Sequence, residues 1–163
     1  MAYNFNADEV FEVAIRIEEH GAAFYRKAAT LQKDESDQLF LQQLAKMEDN
    51  HRISFEKMRK ELSEMERGRT VFDPEEETGL YLAAMADFHG GEGDTEVAES
   101  LTENQPMKEV LKIAIALEKE SILFYLGLKD LLPPSYGQDK VDDIIKEERK
   151  HIAQLNSFLK KLE

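Results

Sequence analysis

EDNH at residues 48–51 and ERKH at residues 148–151 carry one spacing, Glu-x-x-His, at an offset of one hundred, in a chain with only four histidines. Upstream of each, AIRIEEHGAAFY at residues 14–25 and AIALEKESILFY at residues 114–125 share Ala, Ile, Glu, Phe and Tyr at that same offset. Glu18, Glu48 and His51 therefore recur as Glu118, Glu148 and His151 within a recurring apolar pattern, which reads as a duplicated helical hairpin.

The apolar spacing around these positions is helical, and no stretch alternates as a strand does over several cycles. The fold is expected to be all-α. A first helix should start after Asn6, with Glu9 as a capping-box partner, and reach about Lys33; Ser36 should cap a second that runs to about Arg67. A third long helix should begin with Pro106 in its first turn and stop near Leu131 before PPSYGQ, and a fourth should run from about Asp139 to the C-terminus.

Residues equally far from a tight turn lie level in an antiparallel helix pair. The midpoint of Glu18 and Glu48 is Lys33, and that of Glu118 and Glu148 is Pro133, each in an expected turn. Each hairpin thus sets its lone Glu level with its Glu-x-x-His pair, about 22 Å from the turn. Positions three, four and seven residues from Glu18 include Phe11, Ala14, Ile15, Ala22 and Tyr25, and those around Glu118 include Leu111, Ala114, Ile115, Ile122 and Tyr125. The four carboxylates are directed toward a core.

The two hairpins, about residues 7–67 and 105–163, are joined by a segment at about 68–104 that is much longer than usual bundle loops. Asp73-Pro74-Glu75-Glu76 reads as a helix start and His89-Gly90-Gly91 as a stop, so LYLAAMADF forms a shorter fifth helix, with DTEVAESL a further turn or two. A connector of this length spans a bundle and makes the second and third long helices parallel. At 163 residues the chain is expected to be one domain.

Composition narrows the chemistry. With no cysteine, thiolate metal sites, disulfides and cysteine nucleophiles are excluded, and any metal must be held by oxygen and nitrogen. A net charge of -13 repels a phosphate backbone, so nucleic acid is not an expected partner. No apolar run approaches a membrane span, and MAYNFNADEV has no signal-peptide pattern, which makes the cytoplasm the expected location.

Four buried carboxylates without neutralisation would cost several kcal/mol each, comparable with the stability of a whole domain. Two divalent ions supply four positive charges, and two neutral imidazoles complete the shell. This donor pattern is the one described for ferritin-like dimetal carboxylate bundles.

Glu18, Glu48 with His51, Glu118, and Glu148 with His151, together with the Phe-Tyr pairs at 24–25 and 124–125, resemble the rubrerythrin branch of the ferritin-like superfamily over essentially the whole chain. The resemblance implies a ferritin-like four-helix bundle that binds two iron ions. Glu18 and Glu118 would be terminal ligands, Glu48 and Glu148 bridges, and His51 and His151 would cap one metal each. It further implies a homodimer and an oxidoreductase reducing peroxide or dioxygen. Many members carry a rubredoxin-like domain on four cysteines; this chain has none, so the resemblance implies an external electron donor protein. Some members have another Glu where this sequence has Ser121.

Manganese or zinc suits the same donors. Ferrous iron oxidation and iron handling form a second reading. A third is a metal-free helical scaffold whose carboxylates pair with Arg52, Lys146 or Arg149. Tyr25 and Tyr125, one helical repeat from the ligands, read first as core packing, with a hydrogen bond from their hydroxyls to ligand carboxylates as the alternative. His20 should lie on the surface, His89 at a helix C-terminus, Glu75 to Glu77 in solvent, and LYLAAMADF against the bundle or a second subunit.

Overall fold

The structure, a computed structural model, describes residues 7–62, 77–89, 95–132 and 137–163, and every regular element among them is a helix. The first hairpin pairs α1 (Ala7–Leu31) with α2 (Glu35–Glu61), and the second pairs α5 (Met107–Leu131) with α6 (Gln138–Lys161). Between them lie α3 (Glu77–His89) and the short α4 (Thr95–Ser100). The all-α architecture, the four long helices and the shorter fifth helix agree with the sequence reading.

Two boundaries differ from it. Asp34, not Ser36, caps α2: its carboxylate accepts from the backbone N–H of Ser36 at 2.8 Å and of Asp37 at 3.1 Å. An anion at this end satisfies unpaired donors and meets the positive end of the helix dipole. At its other end α2 stops at Glu61, because Leu62 turns to extended backbone with ψ 127° and buries its side chain in the core. The expected extension to Arg67, and the starts and stops assigned to Asn6, Asp73 to Glu76, Gly90-Gly91 and Pro133-Pro134, lie outside the described residues. Pro106 precedes α5, where its carbonyl accepts from the N–H of Glu109 at 2.9 Å.

The core is divided in two. One apolar cluster contains Phe11, Ala14 and Ile17 of α1, Phe55 and Met58 of α2, Phe124, Tyr125 and Leu128 of α5, and Val141, Ile144 and Ile145 of α6. The other contains Phe24, Tyr25 and Ala28, then Leu41 and Leu44, then Val110, Leu111 and Ala114, and finally Leu155. Along α1 and α6 the first cluster precedes the second, and along α2 and α5 the order is reversed. Thus α2 and α5 run parallel, as the long connector requires, and the six recurring Glu and His positions fall between the two apolar layers. That is the middle of the bundle.

The connector packs through α3 on α5 and α1, and through α4 on α1. Gly127 makes the first contact close: a Cβ there would meet the Tyr81 ring at 2.7 Å and Leu82 at 2.9 Å. Leu82 is fully buried, and the Tyr81 hydroxyl donates to the Leu123 carbonyl. No helix among the described residues is long and apolar enough to cross a membrane.

Candidate metal centre

Each hairpin contributes one helix with a lone Glu and one with Glu-x-x-His. At i, i+3 spacing, Glu48 and His51 share a face of α2, as do Glu148 and His151 on α6. All six side chains are buried, none more than 5% exposed. The structure brings them together in two groups whose donor atoms lie within 4.8 Å of one another: Glu18, Glu48, His51 and Glu148, and Glu48, Glu118, Glu148 and His151. Glu48 and Glu148 belong to both.

The imidazoles face one another with ring centroids 5.7 Å apart and planes 22° from parallel. His51 Nδ1 lies 2.8 Å from Glu148 and 3.5 Å from Glu18. His151 Nδ1 lies 2.9 Å from Glu148, 3.3 Å from Glu48 and 3.5 Å from Glu118. Both Nδ1 atoms are thus directed at the carboxylates.

This cluster can neutralise itself only by retaining protons. Burial, followed by the charge of Glu148, raises the Glu18 carboxyl and pushes that of Glu118 up to about 7. Burial with Glu118 and Glu18 holds Glu48 well above the usual carboxylate range. Burial opposes charge on His51, but the close Glu148 and Glu18 carboxylates outweigh it and push the imidazolium up to about 12. His151 reaches about 12 in the same way, with Glu118, Glu148 and Glu48 outweighing burial.

Even so, Glu18 Oε2, Glu48 Oε1, both Glu148 oxygens and both Nδ1 atoms have no hydrogen-bond partner of adequate geometry. Buried polar atoms left in this way are costly. The unsatisfied atoms are all oxygen or imidazole nitrogen and they converge, so the residues fit a pair of divalent cations. The cations of the scaffold reading lie elsewhere: Arg52 pairs with Glu56, Lys146 with Asp143, and Arg149 is exposed.

Two tyrosines bind the hairpins together around this centre. Tyr25 of α1 donates to Glu118 of α5, and Tyr125 of α5 donates to Glu18 of α1. Burial first, and then the neighbouring carboxylates, raise both phenols well above their ordinary value, so they remain protonated donors. Each fixes the carboxylate of the opposite hairpin.

Glu147 is a residue that the sequence reading missed. It lies 2.7 Å from His51 Nε2 and orients the ring so that Nδ1 faces the cluster. Its counterpart at the offset of one hundred is Met47, and His151 Nε2 has no hydrogen-bond partner. The two imidazoles are therefore held unequally. Glu147 is partly exposed, so Glu147→Gln should fold normally yet weaken one of two metal-binding events by roughly 10-fold to 100-fold. Calorimetric titration with zinc checks this; two unchanged binding events would overturn it.

His20, expected on the surface, is half-buried, and its Nδ1 is enclosed without a partner. His89 closes α3, but its side chain lies outside the described residues. Glu77 is exposed, as expected, while Glu75 and Glu76 also lie outside the described residues.

No protein-family model matches the chain, and no curated protein is significantly similar to it. Among solved structures, a crystal structure from Thermotoga maritima, provisionally described as a ferritin-like diiron-carboxylate protein, is similar to it with a TM-score of 0.73 and 26% identity. The likeness covers 98% of this chain and 97% of that one. Helix order, the buried carboxylate–histidine cluster and this end-to-end likeness place the chain in the ferritin-like superfamily, with an all-α helical-bundle fold.

Proposed function

We propose that the protein is a di-iron oxidoreductase of rubrerythrin type that reduces peroxide with electrons from a separate donor. The observation that carries this reading is the pair of four-residue donor groups sharing Glu48 and Glu148. The description of the Thermotoga maritima protein as diiron-carboxylate supports iron as the metal. Glu18 and Glu118 would serve one metal each, Glu48 and Glu148 both, and His51 and His151 would supply the nitrogen donors. Two ferrous ions held there would supply one electron each, so that one hydrogen peroxide and two protons become two waters.

The chain's own contribution is positioning and exclusion. The apolar layers on either side keep bulk water from the cluster. Tyr25 and Tyr125 hold Glu118 and Glu18 in place, and Glu48 and Glu148 would be the carboxylates left to adjust to bound metal. Re-reduction would draw on an external reductant, because the sequence has no cysteine to hold an electron-transfer iron of its own.

Anaerobic protein loaded with ferrous iron should consume one peroxide for every two irons oxidised, as followed by a peroxide electrode and ferrous chelation. Filled sites that leave peroxide untouched would defeat this proposal. Oxidation by dioxygen alone, followed by release of ferric iron, would favour iron handling.

A further inference from the structure

A cavity of about 30 Å³ lies beside the centre, between α1, α4 and α5. Ile17, Phe24 and Leu117, with Val97 and Ala98 of α4, form apolar walls, and His20, Gly21 and Ser121 complete the lining. Gly21 connects it with the cluster: a Cβ there would stand 3.2 Å from Glu48 Oε2. The cavity wall is thus next to a carboxylate common to both donor groups.

Size and polarity define what fits. One water needs about 10–15 Å³ of such space, so the cavity holds about two heavy atoms. Ser121 Oγ donates to the Leu117 carbonyl at 3.1 Å, which leaves its lone pairs to accept. His20 Nδ1 is buried without a partner. A ligand matched to this lining has two heavy atoms, at least one O–H to donate, lone pairs to accept, and no charge that the acidic cluster would repel. Hydrogen peroxide meets all four conditions. Dioxygen cannot donate, and alkyl hydroperoxides are too large.

We infer that this cavity is a holding site for hydrogen peroxide, bound by His20 and Ser121 beside Glu48 before it reaches the centre. The inference rests on the peroxide-reducing reading and names the site through which the substrate enters. His20 and Ser121 are binding residues here, and Ala98 is part of the wall.

Crystals of the zinc-loaded protein, which does not turn peroxide over, provide a test independent of activity. A hydrogen peroxide soak should show a two-atom ligand within hydrogen-bond distance of His20 Nδ1 and Ser121 Oγ, and Ala98→Leu should remove it. In stopped-flow oxidation of the ferrous protein by peroxide, His20→Phe and Ser121→Ala should each slow the second-order step about tenfold, as expected for one lost hydrogen bond. Both variants should retain the wild-type metal content. An empty cavity after the soak, or variants that react at the wild-type rate, would overturn the holding site. Ferrous wild-type protein that leaves peroxide unconsumed would instead overturn the functional reading, while the soak still decides the cavity.

Discussion

Metal analysis of the Glu148→Gln protein, equilibrated with ferrous or zinc ion, should return less than one ion per chain, where the wild type returns two. Glu148 belongs to both donor groups, and both of its oxygens lack hydrogen-bond partners. Gln preserves the shape but removes the charge and one acceptor oxygen from both positions at once. The affinity loss should therefore exceed the roughly 10-fold to 100-fold that removal of an outer partner costs. Glu118→Gln provides the contrast: Glu118 belongs to one group only, so that variant should retain one ion. Circular dichroism should remain that of the wild type for both variants, since the apolar layers are unchanged. If Glu148→Gln retains two ions at wild-type affinity, the ions sit elsewhere. If the wild type binds none, the metal-free scaffold reading stands in their place.

The sequence showed the fold because the duplication fixes heights and faces within each hairpin. Glu18, Glu48 and His51 each lie at a known distance from a turn, and their copies at 118, 148 and 151 repeat the constraint. That was enough to bring six side chains to one level. The relation between the hairpins was less legible, because a long connector leaves their mutual rotation open. Glu147 shows the consequence: it reaches His51 across that boundary, while Met47, its counterpart in the repeat, gives no hint of such a contact. The crossed pairs Tyr25 with Glu118 and Tyr125 with Glu18 are also contacts between hairpins. The residues could be singled out by spacing, but not their partners. Within a hairpin the misses were local competitions. Asp34 displaced Ser36 as a cap because an anion serves that end better. The angle of His20 from Glu18 points it to solvent within its own hairpin, whereas residues of α4 and α5 line the cavity beside it.

The metal-free protein should lose stability as pH rises, and bound metal should restore more of it the higher the pH. Folding raises Glu118 from 4.5 to about 7, and Glu18 and Glu48 move in the same direction, chiefly through burial. The folded state therefore binds more protons than the unfolded chain in this range. The stability that these carboxyls contribute is complete below pH 4.5 and is lost as pH rises through about 7. For Glu118 alone the loss is on the order of 3 kcal/mol. His51 and His151, raised from 6.5 to about 12, act with the same sign, losing their contribution from pH 6.5 upward. Divalent ions reverse the balance, because they bind carboxylates and neutral imidazoles and displace these protons, so their affinity grows with pH. Free metal at about 1,000 times Kd adds about 4 kcal/mol per site. At roughly 2–4 °C per kcal/mol for a chain of this size, zinc should raise Tm by more than about 10 °C at pH 8. At pH 5.5 the cluster holds its protons more firmly, and the rise should shrink to a few degrees. Differential scanning calorimetry with and without zinc at the two pH values measures both slopes. A metal-induced rise that is equal at both, or larger at pH 5.5, would mean that the ions do not compete with protons for Glu18, Glu48, Glu118, His51 and His151.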